Sequence, residues 1–237
     1  MIDHSLIQDG DVVLDLCTGS GILGLYAARS ASRVICTDIN PRAIACAQRN
    51  ADQNALQNIE YRCGNLFEPV RWEHFDYIVT NPPFVPIPPG VKATLHSGGG
   101  ETGMLLVEAI VRDVETHLKP EGRMQLYSLS LGNETETLLE SVLRKYVKRR
   151  KVTMMRMYTN PLPLKEFVDD PAICFASTTW YEQRMHAGET HLHSFVVNIE
   201  PADLLTITTT DMSQQDRRQY PDNWENWKGR FIEWIFD

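Results

Sequence analysis

Apolar positions in this chain fall into short runs separated by polar and glycine-rich turns. Val12-Val13-Leu14-Asp15-Leu16, Arg33 to Asp38, Ile59 to Cys63 and Phe75 to Val79 are β-branched or aromatic and too short for helices. They predict buried strands. Between them lie stretches with helical spacing, roughly Ile22 to Ala31 and Asn40 to Asn54. Asn40 is placed to cap the second, and Pro41 suits its first turn. Further on, Thr102 to Lys119 predicts an amphipathic helix with Met104, Leu105, Val107, Ile110, Val111, Val114 and Leu118 inward. A strand over Arg123 to Leu129, a helix from Asn133 to about Lys148 and a strand over Val152 to Tyr158 follow. His193 to Ile199 reads as the last strand. Strand alternating with helix predicts an α/β domain.

The turn after the first strand is Cys17-Thr18-Gly19-Ser20-Gly21-Ile22-Leu23-Gly24. Glycines there let a ligand approach the backbone closely, which a Cβ would obstruct. Asp38 ends the second strand about twenty residues on, where a carboxylate can hold ribose hydroxyls. Gly19 to Gly24 matches the dinucleotide fingerprint G-x-G-x-x-G. With Asp15 and Cys17 it equally matches D-x-C-x-G-x-G, the pattern with which S-adenosylmethionine-dependent methyltransferases bind the methionine and adenosine portions. What separates the two is Asn81-Pro82-Pro83-Phe84, which ends the fourth strand. Two prolines hold the backbone extended and remove N–H groups. An amide oxygen and a neighbouring carbonyl can then accept two hydrogens from a planar –NH2, with an aromatic ring beside it. In isolation the same residues form an ordinary Asn-Pro turn. A hydride-transfer enzyme has no use for this segment there.

Together these residues resemble the class I methyltransferases that act on planar nitrogen. Asp15 to Gly21 and Asn81 to Phe84 look like the glutamine methyltransferases of release factors and of a ribosomal protein. Gly99-Gly100-Glu101-Thr102-Gly103-Met104 looks like a variant of that family's G-G-x-D-G-L loop. The resemblance spans about residues 10 to 132. It implies a Rossmann-like, seven-stranded, mostly parallel sheet with an antiparallel last strand and helices on both faces. It implies S-adenosyl-L-methionine as cofactor, held by Asp15, Cys17, Thr18, Gly19, Gly21, Asp38, Ile39, Asn65, Leu66 and Asn81. Asn81, Pro82 and Phe84 would align the acceptor for in-line methyl transfer. Asn65 stands where many relatives have an Asp that receives the adenine amino group, and Phe84 replaces the commoner Tyr. The helical amino-terminal substrate domain of the bacterial enzymes has no counterpart in this sequence. A protein glutamine is the leading acceptor. A small metabolite, methylated on nitrogen or oxygen, and a nucleic-acid base are the alternatives. A binding module that holds the cofactor without turnover is the non-enzymatic one.

Composition adds bounds. A length of 237 residues, 43% hydrophobic and 23% charged, suits one globular domain. A net charge of -8 speaks against a duplex nucleic-acid binder. Arg144 to Lys151 is a basic run, either a contact for RNA or an acidic protein, or a solvated helix end. Five cysteines without a C-x-x-C pair argue against a disulfide framework or structural zinc and for a reducing, cytoplasmic location. His186, His191 and His193 lack an acid or Cys to complete a metal set. No apolar run approaches the roughly 20 residues of a membrane span. We place the methyltransferase domain at residues 1–200. Thr159 to Thr190 forms an aromatic insertion expected to act as a substrate lid. Residues 201–237 read as a polar linker and a helix with Trp224, Trp227, Phe231 and Trp234 on one face, a surface for packing or a second subunit.

Overall fold

Apolar residues on both sides of a strand require cover on both faces, and the first strands obtain it. β1 (Val12–Leu16), β2 (Arg33–Asp38), β3 (Ile59–Cys63) and β4 (Phe75–Thr80) pair in parallel, and β5 (Leu118–Gly132) continues the parallel set beside β4. The computed structural model describes residues 1–92, 94–157, 161–169 and 178–212. One face of the sheet packs α3 (Leu105–Asp113) and α4 (Leu138–Tyr146) through Val107, Ile110, Leu139 and Leu143. The other meets α1 (Ile22–Ala27) and the amino-terminal segment through Ala27, Leu6 and Ile7. α2 (Pro41–Gln53) connects β2 to β3, and its cap is the expected one: Asn40 Oδ1 accepts from the Arg42 N–H at 3.0 Å.

The expected antiparallel strand is β8 (His191–Pro201), which pairs antiparallel with β5 and with β6 (Arg150–Arg156). The full order is β3-β2-β1-β4-β5-β8-β6-β9, with the two-residue β7 (Leu162–Pro163) beside β8. Among the described residues the sheet thus has nine strands where seven were expected. β9 (Thr206–Asp211) lies within the stretch read as polar linker and runs parallel to β6. Its Thr-Ile-Thr-Thr-Thr run is β-branched but polar, as suits an edge strand whose side chains face solvent.

Two boundaries differ from the sequence expectation. α3 starts at Leu105, because Gly103 holds a left-handed φ of 78° that a helix cannot contain. Leu105, expected inward, is 67% exposed. It sits two residues from Val107, on the wrong side of the face built by Val107, Ile110, Val111 and Val114. Asn133 caps no helix; its Oδ1 accepts from the Thr135 and Glu136 N–H groups in a turn, and Thr137 caps α4 through Glu140. The aromatic stripe from Trp224 to Trp234 lies outside the described residues.

The basic run at the end of α4 is spent locally. Arg144 pairs with Glu140, Lys145 with Glu108, Arg149 with Asp203, Arg150 with Glu115 and Lys151 with Glu200. Lys148 Nζ donates to the Lys145 carbonyl at 2.7 Å, where a cation complements the helix end. Among the described residues no helix is long and apolar enough to cross a membrane.

The amino-terminal segment is tied to the sheet by buried polar groups. Arg123 Nη2 donates to both Asp11 carboxylate oxygens at 2.7 and 2.9 Å, and its Nη1 donates to the Leu6 carbonyl at 2.6 Å. Both partners of this pair are buried. Arg123→Met would strand the Asp11 charge, and we expect a loss of about 3 kcal/mol in urea unfolding. Adding Asp11→Asn should recover part of it. A loss below about 1 kcal/mol would show that the pair tethers nothing.

Candidate active site

β1 is followed by strands on one side and paired with β4 on the other, so a crevice opens between the carboxyl ends of β1 and β4. Leu16 pairs with Thr80, and Thr80 Oγ1 donates to the Leu16 carbonyl at 2.7 Å in a buried bond. Cys17 and Asn81 therefore leave the sheet level with each other.

The glycine turn is built around two carboxylates. Asp15 Oδ2 accepts from Thr18 Oγ1 at 2.5 Å and from the Gly24 N–H at 2.8 Å. Asp38 Oδ2 accepts from the Gly19 N–H at 3.0 Å, and its Oδ1 from the Asn40 N–H at 2.9 Å. Gly24 has no room for a side chain: a Cβ would stand 2.5 Å from Cys36 Sγ. Gly19 differs, with φ 55° and open space where its Cβ would point. Such space is what a closely approaching ligand needs. Cys17 itself is left-handed, at φ 60°. Burial pushes the Cys17 thiol up to about 12, so it is a thiol at neutral pH.

The third strand adds its carboxyl end. Gly64 N–H donates to the Asp38 carbonyl at 3.0 Å, which brings Asn65 and Leu66 to the same edge as Asp38 and Ile39. Asn65 is exposed, Leu66 takes a left-handed φ of 45°, and Ile39 is 53% exposed. All of the residues expected to hold a cofactor thus lie at the carboxyl ends of β1 to β4.

Asn81 is half-buried, and its Oδ1 is buried without a hydrogen-bond partner. Pro82 is buried behind it. The segment is braced by the glycine loop that follows. Val85 N–H donates to the Ser97 carbonyl, Gly99 N–H to the Val85 carbonyl and Ile87 N–H to the Gly100 carbonyl, at 2.8 to 2.9 Å. A Cβ on Gly99 would stand 2.7 Å from Phe84 Cα, and one on Gly103 would collide with the Phe84 carbonyl. Gly99 to Gly103 is therefore a backbone brace for Asn81 to Phe84. The Phe84 ring, expected to stack on an acceptor, is 8% exposed and meets Tyr127 edge-on at 5.1 Å. Most of its surface is committed to the core.

Sequence reasoning missed Thr80, Tyr127, Ser194 and the role of Trp180. Trp180 is buried and its Nε1 donates to the Glu101 carbonyl at 3.1 Å, which joins α6 (Thr178–His186) to the brace. Tyr127 has no local signal, because its place beside Asn81 depends on strand register. Loop residue His96 is exposed, with Nε2 3.4 Å from Thr94 Oγ1. The three histidines close in sequence take separate local partners: His186 the Glu182 carbonyl, His191 Thr190 Oγ1, His193 the Asn133 carbonyl. Among the described residues no three potential metal ligands come together.

Two buried groups give the molecule an opposed pH response. Burial raises the Asp15 carboxyl to about 7, against the Thr18 and Gly24 hydrogen bonds that lower it. Its stabilisation is complete below the usual carboxylate range and is lost as pH rises toward 7. Burial lowers His193 to about 4, so its contribution is complete above about 6.5 and is lost as pH falls toward 4. Between pH 4 and 6.5 the two slopes oppose each other. Asp15→Asn should therefore gain stability relative to the parent as pH rises, on the order of 1 kcal/mol per pH unit in thermal melts. Parallel curves for the two proteins would place the Asp15 titration elsewhere.

Comparison with known proteins gives these features a context. The ribosomal protein uL3 glutamine methyltransferase of Bradyrhizobium diazoefficiens is 37% identical over 133 residues, 52% of this chain and 41% of that one. The release factor glutamine methyltransferase of Aquifex aeolicus is 29% identical over 163 residues, 64% of this chain and 56% of that one. The chain thus spans about half the length of these curated relatives. A Pyrococcus furiosus methyltransferase structure superposes with a TM-score of 0.53 at 16% identity, over 84% of this chain and 80% of that one, a likeness of fold. The model of the methyltransferase small domain matches residues 2–156, and the chain belongs to that family.

Proposed function

We propose that this chain transfers a methyl group from S-adenosylmethionine to the nitrogen of a side-chain carboxamide, a glutamine in a protein. The observation that carries the reading is the buried, unpartnered Asn81 Oδ1 at the exit of β4, level with the glycine turn. A buried acceptor without a donor is unfavourable and calls for a ligand that supplies one. The relatives named as glutamine methyltransferases support the same acceptor class.

The residues present fit the cofactor. Open space at Gly19, the Asp38 carboxylate, the exposed Ile39 side chain and the exposed Asn65 amide lie along one edge. In this reading Asp38 holds ribose hydroxyls and Asn65 accepts from the adenine amino group, with Ile39 and Leu66 offering apolar surface to the base. Asp15 shapes the turn through Thr18 and Gly24 and keeps its Oδ1 unpartnered. The bound cofactor supplies an electrophilic methyl group.

A carboxamide nitrogen is a poor nucleophile because its lone pair is delocalised. Asn81 Oδ1 and the Pro82 carbonyl accept its two hydrogens, which fixes the nitrogen in place and draws its lone pair out of conjugation. Much of the acceleration is positioning and electrostatic complementarity. In this reading the insertion covers the substrate side of the site. Leu164 and Phe167 of α5 (Leu164–Val168) and Trp180 of α6 belong to the same buried cluster as Phe84. A reducing, cytoplasmic setting fits the free thiols of Cys17, Cys36, Cys46 and Cys63.

Two substitutions separate binding from chemistry. Asn81→Ala should lower kcat about 100-fold or more while calorimetry shows S-adenosylhomocysteine affinity unchanged. Asp38→Ala should do the opposite, weakening cofactor affinity by about 1–3 kcal/mol. Full turnover by Asn81→Ala would reduce the Asn-Pro-Pro segment to a turn.

A further inference from the structure

The exit of β4 has an unused acceptor in Asn81 Oδ1, and the neighbouring strand β5 carries a tyrosine next to it in register. Thr80 pairs with Leu126, so Asn81 and Tyr127 follow side by side. Tyr127 is only partly buried, and its ring meets that of Phe84 edge-on at 5.1 Å. The Tyr127 hydroxyl lies 2.8 Å from Ser194 Oγ on β8. Two hydroxyls carry two hydrogens, and the bond between them uses one. Neither hydroxyl has a further partner among the described residues. Among the described residues one O–H of this pair thus meets no further acceptor, on a tyrosine whose ring packs edge-on against Phe84.

A planar carboxamide presents two N–H donors and one oxygen acceptor. A primary amine lacks the oxygen, and a carboxylate lacks the donors. The reciprocal set is two acceptors, as at Asn81 Oδ1 and the Pro82 carbonyl, and one donor, as the hydroxyl of Tyr127 on the neighbouring strand can supply. We propose that Tyr127, held by a hydrogen bond from Ser194 Oγ–H, donates its own hydroxyl to the carbonyl oxygen of the acceptor amide. Tyr127 and Ser194 are thus a positioning pair that selects carboxamides over amines. The inference rests on the acceptor class proposed above and adds the residue that reads its oxygen.

The chemistry dictates where the effect is read. A hydrogen bond to an amide oxygen strengthens the conjugation that withdraws the nitrogen lone pair, so the pair favours binding and not the chemical step. Its removal raises KM and leaves kcat unchanged or slightly higher, a split that a general packing defect does not produce.

The test uses a peptide with a single glutamine, titrated by NMR onto the full chain saturated with S-adenosylhomocysteine. Tyr127→Phe should weaken peptide binding about tenfold, the loss of one hydrogen bond. Ser194→Ala should act in the same direction, and Ser194→Thr, which keeps the hydroxyl, should restore the parent affinity. Cofactor-product affinity should stay constant throughout. Parent-like peptide binding by both Tyr127→Phe and Ser194→Ala overturns the proposal, as does failure of the parent protein to bind the glutamine peptide. Should Tyr127→Phe fold poorly, the Ala and Thr exchanges at Ser194 decide. Peptide binding that depends on Tyr127 without any methyl transfer from labelled cofactor would leave this inference standing and refute the proposed reaction.

Discussion

The site depends on the register between β1 and β4. Leu16 beside Thr80 places two loops of different chemistry at the same height, and the buried bond from Thr80 Oγ1 to the Leu16 carbonyl pins them. A slip of one residue would turn every side chain of β4 to the other face. Asn81 would then point away from the glycine turn. The alternation of strand and helix puts both loops on the carboxyl edge; this one pairing puts them together.

Around that register the molecule commits its backbone and leaves selected side-chain atoms unmet. The glycine turn is tied through Asp15 and Asp38, and Val85 and Ile87, just after the Asn-Pro-Pro-Phe segment, are zipped to Gly99 and Gly100. Yet Asp15 Oδ1 and Asn81 Oδ1 are buried without donors. A braced backbone beside the unmet Asn81 Oδ1 is what the proposed site requires. Trp180 extends the scaffold by holding the Glu101 carbonyl from α6.

Much of this was legible in the sequence, for identifiable reasons. β1 to β4 are short apolar runs bounded by Gly, Pro or acidic residues, and Asn40-Pro41 is a helix start in itself. The glycine turn, Asp38 and Asn81 to Phe84 are local patterns that carry their own geometry. What escaped depends on contacts distant in sequence. β9 is hidden because its threonines are polar and its partner β6 lies far upstream. α3 starts late because Gly103 is held left-handed against Phe84. Tyr127 comes beside Asn81 only through the β4–β5 register. Gly99 to Gly103 looked like a family signature; its physical task, bracing the backbone of Phe84, needs the fold.

The central claim is that the nitrogen of a carboxamide, gripped at Asn81, receives the methyl group. It is tested most directly by incubating the protein with glutamine-containing protein extract and deuteriomethyl-labelled S-adenosylmethionine, then locating the label by fragmentation mass spectrometry. The account predicts label on a side-chain amide nitrogen, with Asn81→Ala reducing it to background. Label on a lysine amine, a carboxylate oxygen or a nucleic-acid base, or label undiminished in the variant, would contradict it.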